Sequence, residues 1–83
     1  MYVIKRDGSK EGFNSSKIKE AIFKAFRACN QELSLRDKQN LSDFCEDIGS
    51  INKDIPVEDI QDMVEKVLMG NKAWFKVAKS YIL

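Results

Sequence analysis

The side chains best suited to chemistry lie within the first 18 residues, where cationic and apolar groups alternate over a short stretch. Lys5 and Arg6 end a predicted strand, and Lys17 opens a predicted helix soon after it. Lysine supplies a mobile point charge and arginine a planar fork, and a helix N-terminus adds partly positive amides, so together they suit a polyphosphate. Val3 and Ile18 add apolar surface for a flat base. The stretch therefore predicts a small site for a purine nucleotide.

The composition excludes several other chemistries. The chain has 83 residues, enough for one small domain, and contains no histidine, which is the usual general base and the commonest metal ligand. Cys29 and Cys45 lack the spacing of a zinc site. We therefore expect a chain with no catalytic residues and no metal centre. No apolar run approaches the roughly 20 residues of a membrane span and no leader pattern is present, so we expect a cytoplasmic location.

The charge is distributed unevenly along the chain. The formal net charge is +1, but residues 1–27 contain seven Lys or Arg against three Asp or Glu, whereas residues 28–83 contain seven against ten. Nucleic-acid binding usually needs a strongly basic domain. A local excess of positive charge in a balanced chain fits a small anion better, so we expect no direct contact with nucleic acid.

The N-terminal residues carry the pattern of a β-hairpin followed by a helix. Tyr2–Arg6 alternates as a strand should, with Val3 and Lys5 on one face, and Asp7-Gly8 is a strong turn signal. Lys10–Phe13 returns as the second strand. Asn14 then has the side chain expected of a helix N-cap.

Apolar periodicity predicts four helices after the hairpin. Cys45 falls on one apolar stripe, so we expect a buried thiol, and Ile51–Ile55 is a candidate third strand. The fold class predicted from these elements is α+β, with a small N-terminal β-hairpin, extended by that candidate strand to a three-stranded sheet, capping a helical bundle. The predicted helices are Ser15–Ala28, Ser34–Asp47, one with Pro56 in its first turn that ends before Gly70, and one that begins near Lys72.

The chain resembles the ATP-cone, a nucleotide-sensing domain found at the N-terminus of ribonucleotide reductases. Three blocks in family order carry the resemblance, and they span the whole chain. The first comprises Val3, Lys5, Arg6, Asp7, Gly8, Glu11, Asn14, Lys17 and Ile18; the second comprises Val57, Ile60, Gln61, Asp62, Val64, Glu65 and Leu68; the third runs from Val77 to Leu83.

The resemblance implies a role for each of the matching side chains in binding ATP or dATP. It implies that Val3 and Ile18 hold adenine, and that Lys5, Arg6 and Lys17 meet the phosphates. Glu11 and Asn14 are implied to orient the base or the ribose, and Val57 and Gln61 to contribute from the third helix. Two of these residues also have simpler interpretations, because Glu11 can be the cross-strand partner of a lysine and Asn14 can be a helix cap alone.

The function implied is allosteric control of the overall activity of a ribonucleotide reductase, an oxidoreductase, by ATP or dATP with Mg²⁺. The expected partners are the catalytic core of the parent enzyme and other subunits that assemble in a nucleotide-dependent way, with no membrane. The first block favours an anaerobic triphosphate reductase as the parent. Two alternatives remain: the sensing domain of a DNA-binding repressor of reductase genes, and a degenerate cone without nucleotide binding. The last predicted helix runs to the final residue, so we expect residues 1–83 to be a single domain from the N-terminus of a longer chain.

Overall fold

The structure is a computed structural model that describes residues 1–82, so Leu83 at the end of the third block lies outside the described residues. Two strands lie at the N-terminus and a third lies between the second and third of four helices, which confirms the predicted α+β class. A 3₁₀ turn, Lys72–Trp74, precedes the last helix. The elements are β1 (Tyr2–Ile4), β2 (Lys10–Gly12), α1 (Ser15–Ala28), α2 (Leu35–Gly49), β3 (Ile55–Pro56), α3 (Val57–Met69) and α4 (Phe75–Ile82).

The sheet has the order β2-β1-β3, so the first strand of the chain lies at its centre. β1 and β2 are antiparallel, with Val3 opposite Glu11, and β1 and β3 are parallel, with Val3 opposite Ile55. A third strand therefore forms, but it is shorter than the candidate Ile51–Ile55 and begins at the last residue of that segment. Asp54 explains the difference: its carboxylate accepts hydrogen bonds from the Tyr2 amide at 3.1 Å and from Lys10 Nζ at 2.9 Å, so a side chain replaces backbone pairing there.

Pro56 lies in β3 immediately before α3, so its predicted place in the first turn of the helix was wrong by one residue. Its ring fixes φ near −59° and it has no N–H to donate, which suits the end of a short edge strand. It provides no side-chain cap for α3. Glu58 and Asp59 lie in the first turn instead, where acids interact favourably with the helix dipole.

Local capping fixes the hairpin and the start of α1. Gly8 adopts φ +87°, a left-handed conformation that glycine reaches without steric cost, and its amide donates to the Lys5 carbonyl at 2.9 Å. Asn14 Oδ1 accepts from the Ser16 amide at 3.0 Å, which confirms the predicted N-cap. The bounds of α1 are those predicted from the sequence.

A core of apolar side chains joins the four helices. Phe26 of α1 contacts Trp74 edge to face, with ring centroids 5.3 Å apart. Cys45 is fully buried as expected, and burial raises the pKa of its thiol to about 11. A second cluster of Ile48, Ile55 and Ile60 attaches the sheet to the bundle. Among the described residues, no helix combines the length and the hydropathy that a membrane crossing requires.

Candidate functional site

A cavity of about 200 Å³ lies beneath β1, where the first turns of α1 and α3 face each other. Val3 of the central strand, Ile18 of α1 and Ile60 of α3 make its walls largely apolar. Tyr81 of α4 contributes the wall on the side of the last helix. With Glu11 and Gly12 of β2, the site is therefore assembled from two strands and three helices, and α3 and α4 are distant in the sequence from the hairpin and α1.

Most residues predicted for the site are brought together in this cavity. Lys5 and Arg6 do not line it, but both touch residues that do: Lys5 pairs with Glu11 and Arg6 bonds to Gln61. The predicted residues that line the cavity are Val3, Glu11, Asn14, Lys17, Ile18, Val57 and Gln61.

Glu11 links two lysines at the edge of the cavity. Its carboxylate lies 3.3 Å from Lys5 Nζ and also accepts a hydrogen bond from Lys17 Nζ. The Lys17 ammonium first, and Lys5 second, hold the pKa of Glu11 below its usual 4.5. The simpler interpretation of Glu11, a cross-strand partner of a lysine, is thus realised in the structure. Lys5 and Lys17 are 52% and 65% exposed, so both ammonium groups remain accessible to an anion from solvent.

Arg6 extends across the other end of the cavity toward α3. Its Nη2 donates to Gln61 Oε1 at 3.4 Å, and its Nε lies 3.2 Å from Glu58 Oε1. The side chain is 72% exposed, so these contacts are weak and exchangeable. An anion arriving at the cavity edge would meet the guanidinium without having to displace a buried partner.

Asn14 both caps α1 and lines the cavity. Its Oδ1 caps α1 through the Ser16 amide, while the residue also lines the cavity. Because the cap uses the oxygen, the amide nitrogen is the part of this side chain that can donate to a bound molecule. The cap and a ligand contact are therefore compatible.

Several cavity residues were not predicted as site residues from the sequence. Ile60 and Tyr81 fall within the second and third family blocks, but no site role was predicted for either side chain. Tyr81 is half-buried, and burial raises the pKa of its phenol. Its place in the third family block was the signal that could have identified it. The remaining ones are Gly12, Phe13 and Ala21.

The arrangement can bind a flat apolar ring beside an anionic group. The apolar walls exclude water from the ring, and the exposed cations at the edge can neutralise a negative charge. The cavity volume is below the range of about 300–1,000 Å³ typical of whole-ligand pockets, so it accommodates only part of a nucleotide-sized molecule. Within residues 1–82, no group of three or more acidic or cysteine side chains is placed to hold a metal ion.

Comparison with known proteins points to one family. The family model described as the ATP cone domain matches residues 1–83. The chain is 40% identical over 90 residues to the ribonucleoside-diphosphate reductase subunit alpha of Chlamydia pneumoniae, and 40% identical over 87 residues to the vitamin B12-dependent ribonucleoside-diphosphate reductase of Thermoplasma acidophilum. Each alignment covers 98% of this chain but only 8% and 11%, respectively, of the relative. Both names are those of diphosphate reductases, so a triphosphate reductase as the parent stays a prediction.

Proposed function

Since this chain belongs to the ATP-cone family, we propose that it binds ATP and dATP and regulates the overall activity of a ribonucleotide reductase. The observation that carries this proposal is the cavity beneath β1. It gathers the residues that the family resemblance assigns to the base, and it has cations at its edge.

In this proposal the apolar walls hold the adenine. Val3 lies on one side of the ring and Ile18 on another, with Val57 at the start of α3. The amide groups of Asn14 and Gln61 supply donors and acceptors for the polar edge of the base. A purine fills this space better than a pyrimidine, because the smaller ring leaves apolar wall uncovered.

The phosphates meet Lys5, Arg6 and Lys17 at the edge of the cavity. In the structure Lys5 and Lys17 are paired with Glu11, and Arg6 is paired with Glu58. All these groups are at least a third exposed, so the pairs contribute little stability and can exchange for a polyphosphate. Glu11 then becomes available to accept a hydrogen bond from the base or the ribose.

In this proposal Mg²⁺ binds together with the triphosphate. Magnesium is usually bound by one or two carboxylates together with substrate phosphates. The described residues form no metal site of their own, so the ion's ligands come chiefly from the nucleotide.

Regulation requires that the two nucleotides favour different states of the parent enzyme. A ligand that binds two states with equal affinity does not change the equilibrium between them. The 2′-hydroxyl that distinguishes ATP from dATP must therefore alter the preferred arrangement or assembly of the parent enzyme. Partners are therefore the catalytic core of the reductase and other subunits. The chain itself contributes no residue to the reduction chemistry.

Calorimetric titration of the 83-residue chain with ATP, dATP, GTP and CTP tests the proposal. We expect heat of binding with ATP and dATP and at least tenfold weaker binding of CTP. Circular dichroism on the same sample establishes that the chain is folded. A folded chain that gives no heat with millimolar ATP would contradict the proposal and favour the degenerate cone. Retarded migration of DNA by the chain would instead favour the repressor alternative.

A further inference from the structure

The Asp54 carboxylate ties the three strands of the sheet together. One oxygen accepts a hydrogen bond from the Tyr2 amide of β1 at 3.1 Å, and the other accepts from Lys10 Nζ of β2 at 2.9 Å. Asp54 itself directly precedes β3. Because β1 lies between β2 and β3, the ion pair of Lys10 with Asp54 spans the central strand. One side chain next to β3 therefore bonds to both of the other strands.

The ion pair lies on the face of the sheet opposite the cavity. Glu11 lines the cavity, and successive side chains of a strand point to opposite faces, so Lys10 points away from it. Three residues after Asp54, Val57 begins α3 and lines the cavity. Asp54 thus connects β1, which covers the cavity, to the start of a helix that forms another of its walls, without lining the cavity itself.

Few other bonds hold β1 against β3. Their parallel pairing is two residues long and ends at Pro56, which has no N–H to donate. Within the part of the chain that the structure describes, side-chain hydrogen bonds and ion pairs join the hairpin to residues 50–69 at two places. These are Asp54 at one end of β1 and Arg6 beyond the other end.

The two connections respond differently to a nucleotide. In the proposed function Arg6 moves to the phosphates, so its ion pair with Glu58 is given up when a nucleotide binds. Asp54 is 33% exposed, against 72% for Arg6, and a ligand in the cavity does not compete for it. Lys10 first, and the Tyr2 amide second, hold the pKa of Asp54 below its usual value, so it is a carboxylate at neutral pH. The connection through Asp54 is therefore the one that persists in both the free and the bound chain.

We propose that Asp54 is a positioning residue for the nucleotide site, which holds β1 in place over the cavity before the nucleotide arrives. This inference rests on the proposed function. A chain whose β1 has moved away from β3 lacks one apolar wall for the base, and binding must first restore that wall. The affinity then falls in proportion to the fraction of chains that have β1 in place. Asp54 acts in this way on every nucleotide and not on the choice between bases.

The test measures ATP and dATP affinity by calorimetry, with circular dichroism to show that each variant is folded. A hydrogen bond changes an equilibrium about 3–10-fold, so Asp54→Ala should lower both affinities by that factor. Asp54→Asn keeps an oxygen that can accept from the Tyr2 amide and loses only the exposed Lys10 ion pair, so its loss should stay within about twofold. Glu46→Ala is the matched control, because its 3.2 Å ion pair with Lys19 joins α2 to α1 and neither residue lines the cavity. It should keep the wild-type affinity.

Hydrogen–deuterium exchange separates positioning from general stability. Without nucleotide, the backbone amides of β1 should exchange faster in Asp54→Ala than in the wild type, whereas those of α2 should exchange at the wild-type rate. Saturating ATP should restore slow exchange in β1. If Asp54→Ala does not fold, Asp54→Asn and Lys10→Ala take its place, and both should show faster exchange in β1 that ATP slows.

Four results would overturn the positioning role while leaving the proposed function intact. The first is a folded Asp54→Ala chain that binds ATP as tightly as the wild type. The second is a loss of affinity in Asp54→Asn as large as that in Asp54→Ala. The third is an equal loss in Glu46→Ala, and the fourth is exchange that accelerates equally in β1 and α2. A wild-type chain that binds neither nucleotide would instead refute the proposed function, while exchange in β1 without nucleotide would still show whether Asp54 holds that strand.

Discussion

Replacing Ile18 with alanine tests the apolar half of the site, because Ile18 lies at the start of α1 and lines the cavity. The substitution removes three carbons, each worth about 0.8 kcal/mol when fully buried. Ile18 is only half-buried in the structure, so about half of that burial, roughly 1.2 kcal/mol, is gained when a base covers it. The expected loss in ATP affinity is therefore about eightfold.

The assay is calorimetric titration with ATP and dATP at one salt concentration. The affinity of Ile18→Ala for both nucleotides should fall by the same factor, because they share the base. Ile18→Val should lose roughly a third as much binding free energy as Ile18→Ala. Ile51→Ala is the matched control: Ile51 is also half-buried and packs against the second core cluster, but it does not line the cavity. It should destabilise the fold without a specific loss of affinity.

The reasoning would be refuted by a folded Ile18→Ala chain whose affinity for ATP stays within twofold of the wild type. It would also be refuted if Ile51→Ala weakened ATP as much as Ile18→Ala did. Both outcomes would mean that the base does not lie against α1. Circular dichroism and urea unfolding of each variant separate loss of folding from loss of contact.

Four further outcomes are expected. Lys5→Ala combined with Arg6→Ala should lower ATP affinity at least tenfold and leave the helical circular-dichroism signal unchanged, since both side chains are exposed; normal affinity would place the phosphates elsewhere. Leu68→Ala should reduce the free energy of unfolding in urea by about 2–5 kcal/mol, because the side chain is fully buried. The Glu11 pKa is lowered, so its contribution to stability is present above pH 4.5 and is lost as the pH falls through the folded-state value; urea midpoints should fall more steeply below pH 4.5 in wild type than in Glu11→Gln. Cys45 should resist thiol reagents at neutral pH until the chain is unfolded, as counted by mass spectrometry.

Elements governed by local interactions could be predicted from the sequence. The bounds of α1 were correct because a cap at Asn14 and an apolar stripe act within a few residues of each other. The turn at Gly8 was correct for the same reason, since one glycine supplies the required positive φ. Elements that depend on distant partners were less accurate. The extent of β3 is set by β1 and by the Asp54 side chain, which bonds 52 residues away to Tyr2.

In the candidate site too, some features could be predicted from the sequence, whereas those that depend on distant partners could not. The family blocks predicted which residues would gather, and the cavity contains most of them. The sequence did not show that Glu11 pairs with both Lys5 and Lys17, because spacing alone does not choose between partners. It also did not show that Tyr81 lines the cavity. Whether an apolar helix residue lies in the core or lines a cavity depends on the distant elements that pack opposite it.

The central position of β1 determines when the site can exist during synthesis. β1 leaves the ribosome first, but it cannot pair with β3 until β3 has been synthesised. The cavity remains open on one side until Tyr81 of α4 has been synthesised. Local elements such as the hairpin and α1 can form early, whereas the parallel pairing of β1 with β3 must close a long loop. If the proposed function holds, a nucleotide in this cavity stabilises only the finished domain and not the segments synthesised before α4.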